Sequence, residues 1–95
     1  GGVFANRLGH ARPNPFNPAT TLEFSLASGS RVTIRVYDAA GRRVSLLVDS
    51  EFGPGAYSVR WDGRDGSGRR AASGTYFARM SAGHSVFERK MTLIK

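Results

Sequence analysis

The chain has 95 residues, no cysteine and a formal net charge of +7, and hydrophobic residues make up 40% of it. This length fits one domain with a single core and leaves no room for a deep catalytic cleft as well. The absence of cysteine excludes disulfide bonds and zinc–thiolate sites. No apolar run approaches the roughly 18 residues of a membrane-spanning helix, so we expect no transmembrane segment.

Apolar and polar residues alternate with period two in several short segments, which is typical of antiparallel strands with one solvent-exposed face. Glycines and β-branched residues interrupt every window of helical length, so no helix is expected. The predicted fold is an all-β, immunoglobulin-like antiparallel β-sandwich of about seven strands, formed by residues 1–95 as a single domain. Residues 1–12 are expected to be a linker or an entry strand. The strand-like segments are 21–26, 31–37, 43–49, 56–61, 75–80 and 86–95.

The inward phase of each segment predicts the core, with Trp61 as its largest member. Gly41 is expected to take a positive φ in the turn that begins at Asp38, and Gly74 leads into a later strand. The predicted core residues are Leu22, Phe24, Ile34, Val36, Leu46, Val59, Trp61, Tyr76 and Met91.

Three prolines occur in the six residues from Pro13 to Pro18. Each proline fixes its own φ and biases the preceding residue away from the helical region, which predicts an extended segment along the sandwich. Asn14, between Pro13 and Pro15, has a side chain suited to bonding backbone groups. Phe16 is expected to anchor the segment on the core. A rigid linker before the first strand would explain the same pattern.

No catalytic constellation is visible in the sequence, and we expect neither enzyme activity nor a cofactor. His10 and His84 lie outside any known motif and are expected to be exposed polar residues. Asp62 and Asp65 are weak candidates for a calcium site, because they share a glycine-rich loop and calcium prefers oxygen ligands. Nearby arginines would repel a cation, so these aspartates are better interpreted as bonding turn amides.

The positive charge raises nucleic acid, an anionic glycan or a membrane surface as possible partners. The arginines are scattered over strands and turns, and most aromatic residues fall on the inward phase. A protein that binds single-stranded nucleic acid exposes aromatic residues for stacking, and no nucleic-acid-binding motif is present. We therefore expect no nucleic-acid partner.

A series of short motifs occurs in a fixed order along the chain. The motifs are Pro13–Pro18, Val36–Asp38 with Gly41–Val44, Gly55 with Trp61–Gly63, Ser73–Phe77, and Arg89–Met91 with Lys95. This series resembles the type A C-terminal sorting domain of type IX secretion substrates, and the resemblance covers the chain from about Phe4 onward. The series also resembles the Ig-like domain of the flagellar hook-capping protein, whose family overlaps with the sorting domains.

The resemblance to the sorting domains implies a non-catalytic role in export. Such a domain sits at the end of a larger secreted parent protein, fused to its N-terminal side, and an outer-membrane secretion apparatus recognises it. The expected location is the periplasm in transit and then the cell surface or the extracellular space. The expected state is a monomer. The hook-cap resemblance implies an assembly module instead.

The alternating pattern of the last segment persists to Lys95, so we expect Arg89 to Ile94 to form a strand paired in the sheet and the end of the chain to be built into the fold. By resemblance, Arg89, Lys90 and Lys95 are the candidate recognition residues for sorting. Lys90 and Lys95 are expected to present their charges to solvent. A last core strand without a recognition role would show the same pattern.

An alternative function from another class is a structural or carbohydrate-adhesive accessory module of a multidomain extracellular enzyme. A row of exposed aromatic residues on one sheet face would favour this alternative, because sugar rings stack on aromatic planes. Tyr37 and Phe77 are the main aromatic residues that the pattern does not place inward.

Overall fold

The computed structural model describes residues 4–95, and this range contains seven β-strands and no helix, hence no helix that could cross a membrane. The prediction of an all-β, Ig-like antiparallel sandwich of about seven strands is confirmed. Residues 1–3 of the predicted entry segment lie outside the described residues, and residues 7–8 of that segment form a short strand. The strands are β1 (Arg7–Leu8), β2 (Thr20–Leu26), β3 (Ser30–Asp38), β4 (Arg43–Phe52), β5 (Gly55–Trp61), β6 (Gly74–Ala82) and β7 (Ser85–Leu93).

The strands form two antiparallel sheets, a three-stranded sheet in the order β1-β2-β5 and a four-stranded sheet in the order β4-β3-β6-β7. The turn after β2 crosses from one sheet to the other, because β2 pairs with β5 whereas β3 pairs with β4 and β6. Alternate residues of each strand therefore point into a single space between the sheets.

The core fills this space and matches most of the predicted list. Trp61 is 1% exposed, its ring packs against those of Phe16 and Tyr76, and its indole N–H donates to the carbonyl oxygen of Arg64 at 2.9 Å. Val59 is half-buried and packs against the buried cluster. The remaining predicted residues that are buried are Leu22, Phe24, Ile34, Val36, Tyr76 and Met91.

The prediction that Leu46 lies in the core is wrong, since 48% of this residue is exposed. Ile34 pairs with Val48 but the next residue, Arg35, pairs with Leu46, so Leu47 is an extra residue on β4. Such a β-bulge reverses the side-chain phase of the bulged strand. Leu47 consequently packs against the core, and Leu46 faces solvent beside Arg35.

Two glycines are required by the backbone. Gly41 has a φ of 83° in the turn between β3 and β4, where its N–H donates to the carbonyl of Asp38 at 3.0 Å, as predicted. Gly63 has a φ of 75°, and a Cβ there would lie 2.8 Å from the carbonyl oxygen of Pro18. Only glycine therefore allows the loop after β5 to approach the proline-rich segment so closely. Gly74, the first residue of β6, has a φ of 155°.

The bulge gives a matched pair of substitutions on one strand. We expect Leu47→Ala to lower the free energy of unfolding by about 1–2 kcal/mol, because a half-buried side chain loses its core contacts. Leu46→Ala is expected to stay within about 0.5 kcal/mol of wild type. Urea denaturation of the two variants measures both values, and a larger loss at Leu46 would contradict the bulged register.

Candidate functional site

Residues Pro13–Pro18, hereafter the proline segment, lie along the outer edge of β7. The side-chain amide of Asn14 donates to the carbonyl oxygen of Lys90 at 3.1 Å and accepts from the N–H of Thr92 at 2.9 Å. Two residues on, the N–H of Phe16 donates to the carbonyl of Thr92 at 2.9 Å, and the carbonyl of Phe16 accepts from the N–H of Ile94 at 3.0 Å. Four hydrogen bonds thus pair this segment with residues 90–94 in a parallel direction.

The sequence explains why the segment pairs in this unusual way. Proline has no N–H, so the prolines cannot donate to a ladder. The amide of Asn14 substitutes for a backbone peptide group between Pro13 and Pro15, and Phe16 supplies both of its own backbone groups. The prediction that Phe16 anchors the segment is confirmed, since the residue is 1% exposed.

The prediction of an extended proline segment is wrong in detail. The chain bends at residues 13–15 and again at 17–18. The buried hydroxyl of Thr20 donates to the carbonyl of Pro13 at 2.7 Å, which holds the start of the segment against β2 while Phe16 inserts into the core.

The candidate recognition residues occupy different environments at this site. Lys90 and Lys95 are exposed, as predicted. Arg89 is half-buried, and its Nε donates to the carbonyl oxygen of Leu8 at 2.8 Å, which ties β7 to β1. This bond gives Arg89 a structural role, whereas a role in recognition stays a prediction. The predicted strand from Arg89 ends at Leu93, one residue earlier than expected.

The two calcium candidates are committed to turn amides, which was the favoured interpretation. Asp62 accepts from the N–H of Arg64 at 3.1 Å. Asp65 accepts from the N–H and the hydroxyl of Ser67 at 2.9 and 2.7 Å and from the N–H of Arg69 at 3.1 Å. Within residues 4–95, no group of three or more potential metal ligands comes together.

Two carboxylates in the loops at this end of the sandwich have lowered pKa values. The Ser67 hydroxyl, followed by the amides of Arg69 and Ser67, lowers the pKa of Asp65 against the opposing effect of burial. The amide of Arg42 lowers the pKa of Asp38 in the same way. Burial, with a smaller contribution from Asp38, raises the pKa of Tyr76. The hydrogen bonds that lower the pKa values of Asp38 and Asp65 are made within the loops that carry these residues.

The two histidines are surface residues outside the strands. His10 precedes the proline segment, His84 lies in the turn between β6 and β7, and both are exposed. The absence of enzyme activity therefore stays a prediction that rests on the sequence.

The structure also brings together residues that the sequence reasoning did not combine. Tyr37 and Phe77 are directly paired on β3 and β6, on the outer face of the four-stranded sheet. The guanidinium of Arg79 lies 5.3 Å from the centre of the Tyr37 ring. The sequence pattern predicts that Tyr37 and Phe77 each point outward. That they are neighbours depends on the order and register of β3 and β6.

These features define an Ig-like β-sandwich whose last strand is covered along its edge by a segment from the start of the chain. A model of the FlgD Ig-like domain family matches residues 16–85, and the chain belongs to this family. The match leaves out Pro13–Pro15 and all of β7 except its first residue. No curated protein matches the chain.

Similar solved structures include dimeric latent PorU from Porphyromonas gingivalis, with a TM-score of 0.74 and 19% identity over 98% of this chain and 10% of that chain. PorZ, described as an essential bacterial surface component of the type IX secretion system of the same organism, has a TM-score of 0.63 and 19% identity over 90% of this chain and 11% of that chain. FlgD from P. aeruginosa has a TM-score of 0.61 and 23% identity over 97% of this chain and 74% of that chain. This chain therefore corresponds to about a tenth of the PorU and PorZ chains, and at these identities the likeness shows the fold.

The Asn14 contact can be tested with a neighbouring asparagine as control. We expect Asn14→Ala to lower the free energy of unfolding by about 1–2 kcal/mol, because Lys90 and Thr92 each lose a hydrogen-bond partner. Asn17→Ala, at an exposed position in the same segment, is expected to stay within about 0.5 kcal/mol. Equal effects of the two substitutions in urea denaturation would contradict a specific role for the Asn14 amide.

The lowered pKa of Asp65 predicts a pH dependence of stability. A carboxyl group with a folded-state pKa below its unfolded value, about 3.9, contributes stability that is present above that value and is lost as the pH falls through the folded pKa. We expect wild type to be more stable than Asp65→Asn at pH 7, and we expect the difference to shrink from about pH 5 downwards. Thermal unfolding of both proteins across this range measures it, and a difference that is constant with pH would contradict the prediction.

Proposed function

We propose that this chain is a non-catalytic C-terminal sorting domain that directs a larger protein through the outer membrane by the type IX secretion system. The parent protein is fused to the N-terminal side of the domain. The domain is recognised in the periplasm by the outer-membrane secretion apparatus, as a monomer and without a cofactor. The parent is then released or attached to the cell surface.

The observation that carries this proposal is the pairing of the proline segment with β7. In the series of motifs that resembles the sorting domains, the proline segment comes first and the basic strand comes last. Asn14 bonds Lys90 and Thr92 across 76 and 78 residues of sequence, so the two ends of the series form one structural unit. Residues 13–15 and the whole of the stretch 89–95 lie outside the region that the family model matches.

The comparisons support a setting in export. PorZ, described as a surface component of the type IX secretion system, shares the fold over 90% of this chain, and PorU shares it over 98%. FlgD shares it as well, so the fold alone does not separate sorting from hook assembly. The terminal stretch Arg89–Lys95 favours sorting, because it resembles the terminal motif of the sorting domains and lies outside the family match.

The hydrogen bonds of the proline segment also limit how a receptor can read β7. The carbonyl of Lys90, both backbone groups of Thr92 and the N–H of Ile94 are already bonded at the outer edge. A receptor strand cannot pair with this stretch unless the proline segment leaves. The exposed side chains of Lys90 and Lys95 are therefore the groups that a receptor would contact, and the fixed backbone holds Lys90 in one direction.

The test is a fusion of this chain to a folded passenger in a host with a working type IX system. We expect the wild-type fusion to reach the surface or the medium, and we expect it to remain periplasmic when the secretion apparatus is deleted. Lys90→Ala with Lys95→Ala should lower the exported fraction several-fold, although both changes are expected to alter stability by no more than about 0.5 kcal/mol each. Cell fractionation and immunoblotting of the passenger measure the distribution.

A matched control removes the same charge elsewhere. Arg7→Ala with Arg60→Ala takes two exposed cations from the outer face of the other sheet, and we expect normal export. A wild-type fusion that never leaves the periplasm would overturn the sorting function. Normal export of the double lysine variant would remove only the lysines from the signal.

A further inference from the structure

The outer face of the four-stranded sheet carries two aromatic rings among arginine and lysine side chains. Tyr37 and Phe77 are paired across β3 and β6, and the row continues to Arg43 on β4 and Lys90 on β7. Tyr76, Ala78 and Met80, which alternate with Phe77 and Arg79 along β6, are buried in the core. Phe77 and Arg79 therefore lie on the outer face of the sheet. We call this row, together with Arg35 and Arg79 in the row beside it, the aromatic–basic face.

The charges on this face are only partly compensated. Arg79 pairs with Glu88 of β7 at 3.2 Å while its guanidinium stays over the ring of Tyr37. Arg35 lies directly opposite Arg79 in the sheet, so two guanidinium-bearing side chains are neighbours. Like charges at directly opposed positions are destabilising unless an anion is present.

Arg35 has the least satisfied environment of these residues. Its Nη1 donates to the hydroxyl of Thr33 at 3.3 Å, and its Nε is buried with no hydrogen-bond partner. None of the ion pairs within residues 4–95 involves Arg35. The two rows therefore hold four cations, Arg35, Arg43, Arg79 and Lys90, against the single carboxylate of Glu88.

We propose that the aromatic–basic face binds an acidic polysaccharide, whose sugar rings stack on Tyr37 and Phe77 and whose carboxylates pair with Arg35, Arg43 and Lys90. This binding goes beyond the proposed sorting function and does not depend on it. The ligand must combine rings with negative charge, because the two aromatic residues are flanked by Arg43 on one side and Lys90 on the other.

The spacing of the row suits a linear polymer of rings. Neighbouring strands lie about 4.8 Å apart, so the backbone positions that carry the two aromatic side chains have about that separation. Consecutive sugar rings in a polysaccharide chain have a similar repeat. Arg43 and Lys90, one strand further out on each side, are then placed to meet the acidic groups of the flanking sugars, and arginine can bind a carboxylate with two parallel hydrogen bonds.

Other occupants fit this face less well. A neutral polysaccharide would leave the cations uncompensated. Single-stranded nucleic acid binds on well-exposed aromatic platforms along a positively charged groove. In a nucleic acid a sugar separates each phosphate from the base that stacks, whereas on this face the cations directly adjoin the two aromatic positions, Arg43 beside Tyr37 and Lys90 beside Phe77.

The test measures binding of this chain to polygalacturonate at low salt, for example by affinity electrophoresis or calorimetry. Fully methyl-esterified polygalacturonate has the same sugar rings without the charge, and polyacrylate has the charge without the rings. We expect binding to polygalacturonate to exceed binding to either control polymer by about tenfold or more, as the loss of stacking or of two ion pairs implies.

Two sets of variants locate the site. Arg35→Gln with Arg43→Gln should weaken binding to polygalacturonate about tenfold, whereas Arg7→Gln with Arg60→Gln, which removes the same charge from the outer face of the other sheet, should leave it unchanged. Tyr37→Leu with Phe77→Leu keeps apolar bulk and removes the rings, and we expect about a tenfold loss. Circular dichroism and thermal unfolding establish that each variant is folded.

Four results would overturn the proposal. These are the absence of binding to polygalacturonate, equal binding to the methyl ester or to polyacrylate, an equal loss in the Arg7 and Arg60 control, and tighter binding to single-stranded DNA than to the acidic polysaccharide. Lys90 is left intact in every variant, so the outcome is independent of the sorting experiment.

Discussion

The insertion of Phe16 between the two sheets is the interaction on which the rest of this end of the molecule depends. Its ring packs against Trp61, and both residues are 1% exposed. Burying a phenylalanine side chain contributes about 1.5–3 kcal/mol, which compensates for the ordering of a segment that has few backbone donors. Once Phe16 is in place, the proline segment must run along β7, and the edge of that strand is covered.

This arrangement solves a problem that the fold itself creates. An exposed edge strand with free N–H and C=O groups is a template for pairing with other chains. Here residues 90–94 are bonded by a segment that cannot propagate a ladder, because its prolines lack donors. The same segment is approached by the loop after β5, where Gly63 comes within van der Waals distance of Pro18. Three parts of the chain that are remote in sequence therefore meet around Phe16.

Period-two alternation and turn residues were sufficient to predict the fold class, most of the core and the position of Gly41. They failed at Leu46, because a bulge is a property of two paired strands and leaves no mark in the alternation of one strand. They also failed to give the path of the proline segment, which depends on Thr20 and on the edge of β7. The anchoring role of Phe16 was predictable because an isolated aromatic residue among prolines has few other uses.

The basic end of the chain and the aromatic–basic face were predictable to different degrees, because alternation within one strand can be read from the sequence and the pairing between strands cannot. Lys90 alternates with the buried Met91 within one strand, so its exposure followed from local phase, whereas Lys95 is exposed because it lies beyond the end of β7. The neighbourhood of Tyr37, Phe77 and Arg35 instead requires β3 and β6 to be adjacent, although the paired positions are 38 or more residues apart in sequence. Lys90 belongs to both surfaces, because it pairs with Phe77 on the sheet face while Asn14 holds its carbonyl at the edge. A ligand on the face and a receptor at the edge would therefore compete for this one side chain, which couples the two surfaces without any change in the fold.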